Sequence, residues 1–148
     1  MKMNGRKGFT MVELIVVIMI VIALAGMSIP LMTGNLKRAR ATEAVATLGA
    51  IRTQMRLVKA ETNSFLKIPG RSADLSANIV YNVGGTVPGF PATTDLDGSY
   101  FPGENYKIEV TSATAFKAYV TGTSAKKTDK VKVTIDQDGK ITEDYNAT

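Results

Sequence analysis

The chain has no cysteine and no histidine. Without cysteine there is no disulfide framework, no lipid-modified cysteine and no thiolate metal site, although an oxidising compartment stays open. Without either residue the usual nucleophile, general-base and zinc constellations are missing as well. The residue inventory therefore points away from an enzyme and implies no cofactor. Charge is scarce in one place: between Phe9 and Met32 the only charged residue is Glu13. With 148 residues, the expectation is one soluble domain plus this apolar segment.

As a helix, Phe9 to Met32 would be roughly 36 Å long, enough to cross the ~30 Å hydrocarbon core of a bilayer. The β-branched run Ile15-Val16-Val17-Ile18 would suit a buried strand in water. In lipid the backbone must be satisfied within the segment, which selects helix. Glu13 is the anomaly, because a carboxylate inside such a run costs ~2.5–3.5 kcal/mol on insertion scales. Two readings stay open on physics alone. Glu13 either reaches the headgroups from the first helical turn, where the helix dipole favours it, or has a dedicated partner.

The residues Lys7-Gly8-Phe9-Thr10-Met11-Val12-Glu13-Leu14, abutting the apolar run, closely resemble the cleavage and methylation signature of type IV pilins and type II secretion pseudopilins. The resemblance covers roughly residues 1–60. It implies that a membrane prepilin peptidase cuts between Gly8 and Phe9 on the cytoplasmic face and methylates the new amine of Phe9. It implies that Glu13 meets the Phe9 amine of a neighbouring subunit and sets subunit registration. An amine of pKa ~8 is protonated at neutral pH, and a close opposite charge favours both ionised forms. Pro30, where the family commonly has proline, is expected to kink the helix.

The partners implied are identical subunits in a helical filament, the prepilin peptidase, a membrane assembly platform with its ATPase, and the membrane before assembly. The implied location is a single-pass inner-membrane precursor with its head outside the cytoplasm. After assembly it is a surface pilus serving adhesion, twitching motility or DNA uptake. The rival within the superfamily is a periplasmic pseudopilus for protein secretion.

The formal charge is +5, but Lys2, Arg6 and Lys7 lie in the leader and the remainder carries +2. Those three residues favour a cytoplasmic N-terminus by the positive-inside rule. Lys37, Arg38 and Arg40 balance them on the other flank, so orientation rests on the resemblance. The out-of-class alternative is a secreted binding domain behind a conventional signal peptide, cut after Ala23-Leu24-Ala25 to expose Gly26. Against it, Glu13 interrupts the apolar region and apolar character runs on to Met32.

Residues 33–62 read as helix, with Ala41, Val45, Leu48, Ile51, Met55 and Val58 forming one apolar stripe suited to packing on a sheet. Asn63-Ser64 ends it. Residues 63–105 hold six glycines and four prolines and read as a turn-rich variable loop with one strand, Ile79 to Val83. Residues 106–144 alternate apolar and polar and read as an antiparallel meander, apolar face inward, with Ile141 on that face. The expected fold is α+β: a long N-terminal helix whose C-terminal half packs on an antiparallel sheet, as in pilins. The expected layout is a leader over 1–8, a stem helix over 9–35 and a globular head over 36–148.

Three minor motifs remain. Asp136-Gln137-Asp138-Gly139 looks like the middle of an EF-hand loop, but Thr134 and Tyr145 occupy the outer ligand positions. Asp-Gly is also a standard hairpin turn, and that reading is favoured over calcium at Asp136 and Asp138. Asp95-Leu96-Asp97-Gly98 is a second acidic turn. Lys126, Lys127, Lys130 and Lys132 form a basic group that would suit nucleic acid; the favoured reading is a lysine-protected edge strand. Many pilins close their C-terminal region with a disulfide. This chain has no cysteine, so something else must hold it.

Overall fold

In the computed structural model, residues 8–69, 74–86, 90–126, 128 and 130–147 are described, without the side chains of 28–31, 33, 85 and 86. Helix α1 spans Met11–Thr62. A short strand β1 (Ile79–Asn82) leads into a brief helix α2 (Val83–Thr86). A 3-10 turn at Gly103–Asn105 then precedes β2 (Tyr106–Val110), β3 (Phe116–Thr121), β4 (Lys132–Asp136) and β5 (Ile141–Asp144). The strands form one antiparallel sheet in the order β1-β2-β3-β4-β5. The architecture is α+β and pilin-like, a long N-terminal helix packing on a five-stranded antiparallel sheet.

The chain divides into two compact units, Met1–Leu36 and Lys37–Thr148. In the first, apolar side chains from Met11 to Met27 are exposed all around the helix, with Val12 at 69% and Met27 at 72%. No helix among the described residues is long and apolar enough to cross a membrane, and the side chains of 28–31, part of the run 9–32 expected to span one, lie outside the described residues. α1 continues through position 30, but the side chain of Pro30, and with it the expected kink, lies outside the described residues.

In the second unit, Ala41, Ala44, Leu48, Ile51, Met55 and Val58 are buried, at alternating spacings of three and four. Val45, expected on the stripe, is only half-buried, and Ala44 takes its place. Facing them are Tyr106, Ile108 and Val110 of β2, Phe116, Ala118 and Val120 of β3, and Val133 and Ile135 of β4. The period-two pattern thus puts one face of the sheet against a helix stripe and leaves the other wet. The helix stops at Asn63, whose φ of 59° is left-handed and whose N–H donates to the Lys59 carbonyl at 2.7 Å, the αL form of helix end.

Three expectations are corrected. The sheet does not begin at residue 106, because β1 pairs with β2 in the register Ile79↔Val110 to Asn82↔Lys107. Val83 starts α2 rather than ending the strand. Ile141 sits opposite Ile135 but is 42% exposed, since β5 is the sheet's edge and all four of its residues are uncovered. The stretch 63–105 is also more than a surface loop. Phe65, Ile68, Leu75, Val83, Leu96 and Phe101 are buried, and Phe65 meets Phe116 edge-on at 4.8 Å between ring centroids.

Candidate functional site

Gly8 and Phe9 precede α1 and are exposed, Phe9 at 85%. A Cβ on Gly8 would meet nothing within 4 Å, so the fold itself makes no demand for glycine there. Thr10 is the N-cap and Glu13 the third helical residue. The Glu13 carboxylate accepts from the Thr10 backbone N–H at 2.8 Å and from its hydroxyl at 2.9 Å, and the Glu13 N–H donates to the Thr10 hydroxyl at 3.3 Å. This is a capping box, which satisfies helix-end donors that would otherwise be orphaned. In the single chain the Glu13 carboxylate is thus held by its own helix start, an arrangement that neither of the two readings named. The signal was present in the sequence as Thr-x-x-Glu directly before an apolar run, and sequence reading credited only the helix dipole.

The head contains a polar clip that sequence reading missed. The Glu43 carboxylate, half-buried on α1, accepts from three consecutive backbone N–H groups: Ser99 at 3.1 Å, Tyr100 at 2.9 Å and Phe101 at 3.1 Å. Gly98 leaves room for it, because a Cβ there would lie 2.1 Å from a Glu43 carboxylate oxygen and displace it. The Lys126 ammonium donates to the Gly98 carbonyl at 2.6 Å and to Asp97 at 3.2 Å. The buried Thr128 hydroxyl donates to the Tyr100 carbonyl at 2.9 Å. The loop between β3 and β4 is thereby tied to the acidic turn, and the turn to the helix, without a covalent bond. Asp97, one of the acids at that turn, is neutralised by Lys126.

Three of the four lysines are described, and they have different surroundings. Lys126 is in the clip, and Lys132 lies over the Tyr119 ring at 4.7 Å. Lys130 is exposed with a φ of 65°, and Lys127 lies outside the described residues. Asp136 and Asp138 fall in the β4–β5 hairpin turn. There a carboxylate oxygen of Asp136 accepts from the N–H of Asp138 at 3.0 Å and of Lys140 at 2.9 Å, and Gly139 has a φ of 90°. Among the described residues no three acidic side chains gather as a metal cluster. Near the chain end, Tyr145 donates to Glu143. Burial first, then the hydrogen bond and charge of Glu143, push its phenol up to about 12, while Arg38 pulls the other way.

Searches of curated proteins and of solved structures returned no match. Residues 3–29 match the prokaryotic N-terminal methylation motif, the signature of type IV pilins and pseudopilins, which spans Gly8, Phe9 and the Thr10–Glu13 cap.

Proposed function

We propose that this chain is a structural subunit of a type IV pilus, built from a membrane pool into a helical surface filament. The carrying observation is the methylation motif over residues 3–29, placed at the start of a 52-residue helix with exposed apolar side chains. On this reading prepilin peptidase cuts after Gly8 and methylates Phe9, leaving the cytoplasmic leader 1–8 behind. The stem then waits in the inner membrane with its head outside, until an assembly platform and ATPase move it into the filament. Apolar side chains exposed on the stem of one copy are covered by stems of its neighbours, which supplies cohesion without direction. Glu13 supplies direction by leaving its own Thr10 for the Phe9 amine of a neighbour. One helix packed against several neighbours is a heterologous interface, which generates an open filament.

The test is to shear cells, image the released material and sequence its N-terminus. Long fibres of a subunit beginning at methylated Phe9 are expected. A mature chain beginning at Gly26 would overturn the reading in favour of a secreted domain. Correct processing at Phe9 without long fibres, in cells that secrete through this subunit, would assign it to a pseudopilus.

A further inference from the structure

Charge is unevenly distributed over the head. Arg52, Arg56 and Lys59 line an open groove of about 750 Å³, together with Thr114, Gln137 and Asp138. They lie four and three residues apart on α1, so like charges face each other across one helical turn and repel. Among the described residues no carboxylate comes within 4.0 Å of any of the three. Two of them are held in place. The Arg52 Nε–H donates to the Gln137 carbonyl at 3.2 Å, and its guanidinium lies against Gly139, where a Cβ would come within 2.9 Å of Cζ. The Lys59 ammonium sits over the Phe65 ring at 4.8 Å. Side chains fixed in advance lose less freedom when an anion arrives.

The complementary charge is at the other end of the same head. Asp95, on the turn that also carries the clip, and Glu104, in the 3-10 turn before β2, are both exposed. Among the described residues neither has a cation within 4.0 Å. Glu104 and Thr94 line one shallow cleft and Asp95 follows Thr94 in the chain; the cleft's other charges, Asp97 and Lys126, are paired with each other. The groove is flanked by the turns that follow β2 and β4, whereas Glu104 precedes β2. The length of β2, ~17 Å, therefore separates the two charges. Along α1 the acidic turn is anchored at Glu43 and the groove begins at Arg52, about 14 Å further on.

We propose that the basic groove of one copy receives the acidic edge of the next, Asp95 and Glu104, in a head-to-tail contact between identical heads. The contact rests on the filament reading and adds where its heads meet. The arginine fork matches a carboxylate. The Asp138 carboxylate on the groove's rim opposes a continuous polyanion. Because the two surfaces differ, the contact repeats without closing, as a filament requires. Exposed charges of this kind act mainly by steering and fixing register, within a Debye length of ~8 Å at physiological salt.

The absence of native cysteine gives a direct test. Ala60→Cys, beside the groove, and Thr94→Cys, beside Asp95, are both at exposed positions and leave the charges intact. In cells assembling the full chain, a flexible bismaleimide should join the double variant into a ladder of dimers, trimers and longer species. Neither single variant should give a ladder. Adding Arg56→Glu should abolish the ladder, and adding Asp95→Arg with Glu104→Arg to that variant should restore it. Filaments without a ladder, or a ladder indifferent to Arg56→Glu, would overturn this contact alone. Absence of both filaments and ladder would overturn the filament reading with it. A short single-stranded oligonucleotide held by the wild type and lost in Arg56→Glu, with no ladder, would assign the groove to nucleic acid instead.

Discussion

Replacing Glu43 by alanine removes the acceptor for three backbone donors at once. A hydrogen bond to a charged group contributes ~1.5–3 kcal/mol when water cannot replace it. The three are not equal. Ser99 and Tyr100 are exposed, so their N–H groups regain water, and Glu43 itself is only half-buried. Phe101 is fully buried, and its N–H at 3.1 Å is left without an acceptor. An orphaned buried donor costs ~1–3 kcal/mol, so the head should lose about 2–3 kcal/mol in total. With a urea slope of ~1–3 kcal/mol/M, that is a fall of about 0.7–3 M in the unfolding midpoint.

The readout is tyrosine fluorescence of the full chain in detergent, which follows the head because every tyrosine lies at position 81 or later. Gly98→Ala should act through the same clip, since its Cβ would displace the Glu43 carboxylate. The Gly98→Ala, Glu43→Ala double variant should therefore fall well short of additivity, as expected for sites sharing a partner. Amide exchange at 99–101 should accelerate in all three variants. A Glu43→Ala midpoint within ~0.5 kcal/mol of wild type, or unchanged exchange at 99–101, would refute the assignment.

Gly8→Val should leave unprocessed precursor in the membrane fraction, because the fold tolerates a side chain there and only the peptidase's need for an extended chain opposes it. Normal mature protein on an immunoblot would count against it. Glu13→Ala removes both cap and charge, whereas Glu13→Gln keeps a capping-box side chain and loses only the charge. If the charge sets registration, both variants are cut after Gly8 and both assemble few filaments; filament yield at wild-type level from Glu13→Gln would refute the ionic role. Tyr145 should stay neutral until about pH 12 in the folded chain. Its raised value means that the protonated phenol's contribution to stability is complete below the unfolded pKa of ~10 and is lost as pH rises toward 12. Glu143→Gln should lower the Tyr145 titration seen by NMR, and no movement would show that Glu143 does not act on it.

What the sequence disclosed, and what it withheld, follows from the range of each interaction. The helix stripe and strands β2, β3 and β4 each repeat one apolar signal at a fixed period, so they are legible residue by residue. Val45 misled because it is more apolar than Ala44; at a helix–sheet contact the available space decides, and the wholly buried positions 41 and 44 are both alanine. Phe65, Ile68, Leu75, Leu96 and Phe101 were illegible as core because they are scattered singly among glycines and prolines, with no period to read. The Thr10–Glu13 cap is local and was legible in principle. The Glu43 clip was not, since its partners lie 56 to 58 residues away and are backbone groups that carry no residue signature. That clip ties the β3–β4 loop and the acidic turn to the helix in a chain without cysteine. A disulfide acts largely by restricting the unfolded chain. The Glu43, Lys126 and Thr128 contacts exist only in the folded head, so they give the unfolded chain no such restriction. Their contribution rests mainly on the buried Phe101 N–H, since Ser99 and Tyr100 are exposed. It should therefore weaken with substitutions that open the turn at 98–101 and be indifferent to reductant, which makes the acidic turn, rather than a covalent loop, the feature that keeps the acidic edge in place.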